Sequence, residues 1–278
     1  MTVSNALRDA ENRLSAVPDP RLDAEYLLAR VLGLPRLQLL LEKQRQMTDE
    51  EEAAFEALLR RRESREPLQY ILGDQPFMGY SFRTDPRALI PRNDTETLCE
   101  EALRWARPGQ RALDLCAGSG AIGIALKKRM PALTVTLSDL SPAALALARE
   151  NAAALQADVR ILAGDLFAPV RGERFDLIVC NPPYIPDGLK DALQAEVVRE
   201  PAMALFGGPD GLDFYRRIAK EAPTHLTLRG RLCLEIGDGQ ADAVSALLKK
   251  DFEDITVLRD LSGLPRVISA CKKDEAII

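Results

Sequence analysis

The chain has 278 residues, 46% hydrophobic and 28% charged, with a net charge of −5. That length suffices for two domains with full apolar cores, and the acidic balance argues against tight non-specific nucleic-acid binding, which needs a concentrated basic surface. No run reaches the roughly 18 apolar residues of a membrane span, and Met1 to Ala10 carry no apolar signal core, so the cytoplasm is the expected location.

From Ala6 to about Leu72 the pattern is helical. Leu22, Tyr26, Leu27, Val31 and Leu32 keep one face apolar until Gly33 and Pro35 stop the helix. Thr48-Asp49-Glu50-Glu51 forms a capping box that opens a second helix carrying Phe55, Leu58 and Leu59 and ending in Arg60-Arg61-Arg62-Glu63. Residues 1–72 therefore read as a small helical bundle without a catalytic constellation, suited to substrate recognition or support. Residues 73–92, punctuated by Gly73, Pro76, Gly79, Pro86 and Pro91, read as a β-hairpin or extended linker. Beyond Asn93, strands are expected at 112–115, 135–139, 159–162, 175–180 and 231–236, and helices at 122–130, 142–151 and 215–221. This alternation predicts an α/β domain over 93–278, a doubly wound parallel sheet with helices on both faces and ligands at the carboxyl ends of its strands. The five cysteines (Cys99, Cys116, Cys180, Cys233, Cys271) form no Cys-x-x-Cys pair, and His225 is the sole histidine. A zinc site is not expected, the cysteines read as small buried residues, and His225 reads as structural.

Three segments carry chemistry. Gly118-Ser119-Gly120-Ala121-Ile122-Gly123 fits Gly-x-Gly-x-x-Gly between a strand and a helix, and Asp139 ends the next strand, where a carboxylate accepts ribose hydroxyls. That pair fits a nicotinamide cofactor as well as S-adenosylmethionine. Asp114, in Asp-x-x-x-Gly-x-Gly, resembles the first motif of class I methyltransferases and favours a phosphate-free adenosyl ligand. In Gly164-Asp165-Leu166-Phe167, Asp165 is placed to accept from an adenine amine beside the apolar Leu166 and Phe167, although a plain turn with an Asx cap also explains the segment. Asn181-Pro182-Pro183-Tyr184 ends the apolar strand 175–180. Asn181 offers one acceptor and one amide donor, the prolines stiffen the backbone and leave carbonyls without competing donors, and Tyr184 supplies a flat face. The tetrad reads as a pocket for a planar, amide-like nitrogen; a mere change of chain direction is the plain alternative.

The chain resembles the bacterial protein-(glutamine-N5) methyltransferases that modify peptide-chain release factors, from about Leu22 to Ile268. The resemblance is carried by Pro67-Leu68-Gln69-Tyr70-Ile71-Leu72-Gly73, Leu89-Ile90-Pro91-Arg92-Asn93-Asp94-Thr95-Glu96, Asp114 to Ile122, Phe175 to Ile185, Glu200 to Gly208 with Asp210 to Asp213, Glu235-Ile236-Gly237 and Asp260 to Val267. It implies a class I, Rossmann-like methyltransferase domain behind an N-terminal helical bundle. The implied reaction consumes S-adenosylmethionine, yields S-adenosylhomocysteine, and methylates glutamine in the Gly-Gly-Gln motif of a release factor. It further implies cofactor binding by Cys116, Ala117, Gly118, Ser119, Gly120, Asp139, Asp165, Leu166 and Asn181. Substrate binding falls to Asn181, Pro182, Pro183 and Tyr184, with Asn181, Pro182 and Tyr184 catalytic and no metal. A monomer without stable nucleic-acid or membrane partners is expected. Two positions depart from the family pattern: Cys116 replaces the usual first loop glycine, so a positive φ there is strained, and Asn93 replaces a proline while remaining an N-cap candidate. The rival readings are methylation of a ribosomal-protein glutamine and, further off, of an exocyclic amine in nucleic acid.

Overall fold

The first three helices of the N-terminal region start on residues suited to the task. In the computed structural model, which describes residues 1–274, the Thr2 hydroxyl accepts from the Asn5 N–H to cap α1 (Val3–Arg13), and Pro20 is the first residue of α2 (Pro20–Leu32). The expected capping box forms over α3 (Asp49–Glu63): Thr48 accepts from Glu51 N–H at 3.2 Å while the Glu51 carboxylate accepts from Thr48 N–H at 2.9 Å. With α4 (Leu68–Leu72), these helices bury Val3, Leu14, Leu27, Leu28, Phe55 and Leu59.

The chain divides into two compact units, Met1–Gly73 with Gln194–Arg199, and Asp74–Leu193 with the residues from Glu200 onward. The sequence reading kept 194–199 with the C-terminal domain. Charge explains why it joins the helices. Arg62, 3% exposed, donates to Asp23 at 2.6 Å and to Glu196 at 2.9 Å, and Arg65 donates to both Glu196 oxygens at 2.6 Å. Burial would raise the Glu196 carboxyl, but the two guanidinium groups outweigh it and hold it down at about 2.

The second unit begins with the expected hairpin, β1 (Asp74–Phe77) and β2 (Tyr80–Arg83). Then follow α5 (Glu96–Trp105), β3 (Arg111–Leu115), α6 (Ala121–Arg129), β4 (Thr134–Asp139), α7 (Pro142–Ala154), β5 (Arg160–Ala163) and β6 (Phe175–Cys180). The chain finishes with α8 (Asp213–His225), β7 (Leu226–Glu235), α9 (Ala241–Leu248), β8 (Phe252–Arg259) and β9 (Pro265–Lys272). The sheet runs β5-β4-β3-β6-β7-β9-β8, with one apolar layer on each face. Its first five strands are parallel, as expected, but β9 is antiparallel to both β7 and β8, so the all-parallel reading fails at that edge. The reason is the short β8–β9 connection, in which the Asp260 carboxylate accepts the N–H groups of Ser262 and Leu264 at 2.9 and 3.0 Å. A connection this tight reverses the chain, whereas parallel strands need a long crossover.

Two smaller expectations resolve differently. Asn93 does not cap: it lies inside a short 3-10 turn ahead of α5, and its side chain accepts from Gln75 Nε2 at 3.4 Å. His225 is structural as read, stacked on Phe167 with ring centroids 4.7 Å apart and Nδ1 3.1 Å from the Glu173 carbonyl.

Glu196→Ala strips buried Arg62 of one of its two carboxylates, which is expected to cost about 3 kcal/mol. The loss should appear as a lower urea midpoint, while the exposed Arg60→Ala should stay within about 0.5 kcal/mol of the parent chain.

Candidate functional site

From β3 the chain winds outward through β4 and β5, then returns to place β6 on the other flank of β3. Strand order reverses between β3 and β6, and such a switch point leaves a crevice at the carboxyl ends of the strands. A cavity of about 710 Å³, open solvent at its mouth included, lies where Cys116 follows β3, Asp139 ends β4 and Asn181 follows β6.

The loop after β3 is held from beneath. Asp139 accepts the Gly118 N–H and the Ser141 N–H, both at 2.8 Å, one on each carboxylate oxygen. Asp114, fully buried on β3, accepts the Gly123 N–H at 2.8 Å through Oδ2, while Oδ1 has no partner among the described residues. Burial pushes the Asp114 carboxyl up to about 8, the Gly123 bond opposing and Asp139 adding to the rise. Burial also raises Asp139, against three backbone N–H contacts. Cys116 and Leu166, both on the cavity wall, hold left-handed backbone at φ +55 and +44. Non-glycine residues bear that conformation at a cost of about 1–3 kcal/mol, and such strain gathers at functional sites.

The backbone after β6 is clasped by a second segment. Ile185 N–H donates to Leu205 O, Gly207 N–H to Ile185 O, and Asp187 N–H to Gly208 O, at 2.9, 2.9 and 3.0 Å. Approach here is close enough to demand glycine. A Cβ on Gly207 would stand 2.5 Å from Pro183 O, and one on Gly211, at φ +74, would stand 2.2 Å from Tyr184 O. Gln240 Nε2 donates to the same Tyr184 carbonyl at 2.9 Å. The Asn181 Nδ2 donates to Thr95 Oγ1 at 3.3 Å.

Of the residues singled out in the sequence, Cys116, Gly118, Asp139, Asp165, Leu166, Asn181 and Pro183 line the cavity. Ala117 and Ser119 are buried in the loop, and a Cβ on Gly120 would stand 2.8 Å from Ile124, so Gly120 serves the packing of α6. Asp165 on the wall is paired with Arg217 at 2.6 Å. Pro182 is buried, and Tyr184 is half-buried, its hydroxyl pushed up to about 12 by burial with Glu235 nearby. Arg87, Leu89, Leu140, Met203 and Phe214 also line the cavity, unanticipated. Arg87 and Leu89 sit in the 73–92 region read as a linker; Leu89 opens a family-like segment, whereas nothing in the sequence singled out Arg87.

Residues 5–73 match the PrmC N-terminal domain family and residues 95–210 the methyltransferase small domain family. The chain is similar to proteins named release factor glutamine methyltransferase. One from Geobacter sulfurreducens is 46% identical over 254 residues, 91% of this chain and 89% of the relative. One from Moorella thermoacetica is 41% identical over 283 residues, 99% of this chain and 100% of the relative. In fold the chain is similar to the crystal structure of a methyltransferase from Pyrococcus furiosus, with a TM-score of 0.55 at 18% identity, covering 69% of this chain and 89% of that one.

The left-handed φ of +55 at Cys116 is relieved by glycine. Cys116→Gly should therefore raise stability by about 1 kcal/mol, the strain relief exceeding the added chain entropy of glycine; differential scanning calorimetry of the ligand-free proteins reads it as a higher Tm.

Proposed function

The chain belongs to the release factor glutamine methyltransferase family, and we propose that it transfers a methyl group from S-adenosylmethionine to the side-chain amide nitrogen of a glutamine in a peptide-chain release factor. The observation that supports this reading best is Asn181, placed by β6 on the same cavity wall as Cys116, Gly118 and Asp139. That wall suits the methyl donor. Asp139 keeps carboxylate lone-pair capacity beyond the backbone N–H groups it accepts, enough for a ribose hydroxyl. Gly118 leaves open space where a side chain would stand. Cys116, Ala117, Gly118, Ser119 and Gly120 form the loop that holds the donor, with Asp165 and Leu166 on its adenine side.

When bound, S-adenosylmethionine supplies a methyl group on a positively charged sulfur, which keeps the bonding electron pair and leaves as a neutral thioether. The work left to the chain is to aim a poor nucleophile, since the lone pair of an amide nitrogen is delocalised into its carbonyl. The Asn181 Oδ1 and the Pro182 carbonyl accept the two amide hydrogens, which raises electron density on the nitrogen and points it at the methyl group. Pro183 and Tyr184 complete the grip, held in place by the Gly207 and Gly211 contacts. The surplus proton leaves after the nitrogen–carbon bond forms, when the nitrogen is strongly acidic, so no strong base is required.

The helical unit is the surface that recognises the body of the release factor, because a short loop entering a pocket offers too little contact area for a specific complex. Leu37, Leu40 and Leu41 stand 71%, 52% and 85% exposed on it.

Asn181→Ala should lower kcat about 10²–10³-fold, the scale for one lost polar contact in a transition state. Titration calorimetry should show S-adenosylhomocysteine still bound; a near-parental rate would sink the assignment. Leu37→Asp with Leu41→Asp should raise KM for the release factor about tenfold while leaving kcat and cofactor affinity in place. Incubation with tritiated S-adenosylmethionine, followed by mass spectrometry of the labelled protein, should put the methyl group on the release factor rather than on ribosomal protein or RNA.

A further inference from the structure

Glu235 closes β7 and is 1% exposed, yet its Oε2 has no hydrogen-bond partner among the described residues. A buried carboxylate costs several kcal/mol unless its lone pairs are satisfied. A residue placed only for packing would be apolar here. The hydroxyl of Thr95, itself 4% exposed, opposes the rise of the Glu235 carboxyl, and its oxygen accepts from Asn181 Nδ2 at 3.3 Å. Side chains from three separate elements, β7, the turn ahead of α5 and the residue after β6, thus act on one another in series up to the cavity wall.

We propose that Thr95 and Glu235 are positioning residues that fix which way round the Asn181 amide sits, leaving its Oδ1 for the substrate. The proposal rests on the reading of Asn181 as the acceptor of the glutamine amide hydrogens. An amide side chain presents oxygen or nitrogen equally well by rotating half a turn, and only the oxygen serves that role. An ionised carboxylate can only accept. Thr95 must then donate to Glu235 and accept from Nδ2, and Oδ1 is left for the substrate. A protonated Glu235 donates to Thr95 instead, which frees the threonine hydroxyl to donate to the Asn181 oxygen and invert the amide. The relay is therefore set with Glu235 ionised and lost as it takes up a proton.

Burial, the largest influence, raises the Glu235 carboxyl to about 7, with the Thr95 bond opposing. The charged and titratable groups around it are Arg266 on β9, Arg92 and Asp94 ahead of α5, Cys99 on α5, Tyr184 after β6 and Tyr215 on α8. Arg266 and Arg92 favour the ionised form and Asp94 the neutral one; the first two are themselves held by Asp260 and Glu200. The active form is the ionised one, so kcat falls as pH drops through about 7.

The test is the rate of methylation of purified, unmethylated release factor in Thr95→Val, Thr95→Ser, Glu235→Gln and Asn181→Ala. Thr95→Val should lose about 10- to 100-fold in kcat, the scale for groups that orient a contacting residue, with KM for the factor and affinity for S-adenosylhomocysteine unchanged. Thr95→Ser should stay within about threefold of the parent, because it keeps the hydroxyl. Glu235→Gln should remove the acid limb from the kcat profile. Parental kcat in Thr95→Val, equal losses in Thr95→Ser and Thr95→Val, or an acid limb surviving in Glu235→Gln overturns the relay. Asn181→Ala separates the two levels: full activity there defeats the reading of Asn181 and the relay with it, whereas an inactive Asn181→Ala beside an unaffected Thr95→Val defeats the relay alone. Should Thr95→Val fail to bind S-adenosylhomocysteine, Glu235→Gln and Thr95→Ser decide the matter by the same criteria.

Discussion

The reversal of strand order between β3 and β6 is the constraint on which the rest of the site depends. Crossovers leave β3 in one direction and arrive at β6 from the other, so neither covers the carboxyl ends between them. A crevice opens there without any residue having been chosen to make it. The three strand ends that reach it then need only one chemical group each: a loop after β3, a carboxylate at the end of β4 and an amide after β6. The antiparallel strand β9 lies beyond β7, outside this region. Its reversal alters the edge of the sheet and not the crevice.

A second constraint is steric. Prolines at 182 and 183 remove two backbone donors, so that stretch cannot be secured by its own N–H groups. It is secured from outside, by the bonds of Ile185 and Asp187 and by backbone packed so closely at Gly207 and Gly211 that no Cβ fits. The backbone of residues 183–187 is thus held largely by main-chain contacts from residues 205–211. The pocket and its clasp are distant in the chain and adjacent in space.

What could be read in the sequence, and what could not, follows the range of the interactions. The apolar run 175–180, the capping box at Thr48 and the proline at the start of α7 are local signals, and the structure places strand and helices where they point. The loop glycines and Asp139 were legible because strand, turn and helix come in one short unit. β8 was not: its side chains alternate between buried and exposed only in part, with an irregular register and a left-handed Asp254 that blur the period of two. Thr95 and Glu235 looked like parts of family segments without a task, since the Thr95–Asn181 bond and the burial of Glu235 exist only once separate elements meet. Asn93 misled for the opposite reason. Its residue type suits a cap, but tertiary context gave its side chain to Gln75 and the start of α5 to other residues.

The segment 194–199 gives the chain an unusual partition. The polypeptide passes from one unit to the other at residue 73, returns at 194 and leaves again at 199. No single scission separates the helical unit from the sheet: a cut after Gly73 frees the N-terminal peptide bond but leaves the Glu196 carboxylate clamped by Arg62 and Arg65. The helical unit is therefore built from two stretches of chain rather than one. A chain cut back to residue 74 keeps Glu196 but loses both guanidinium groups that hold it.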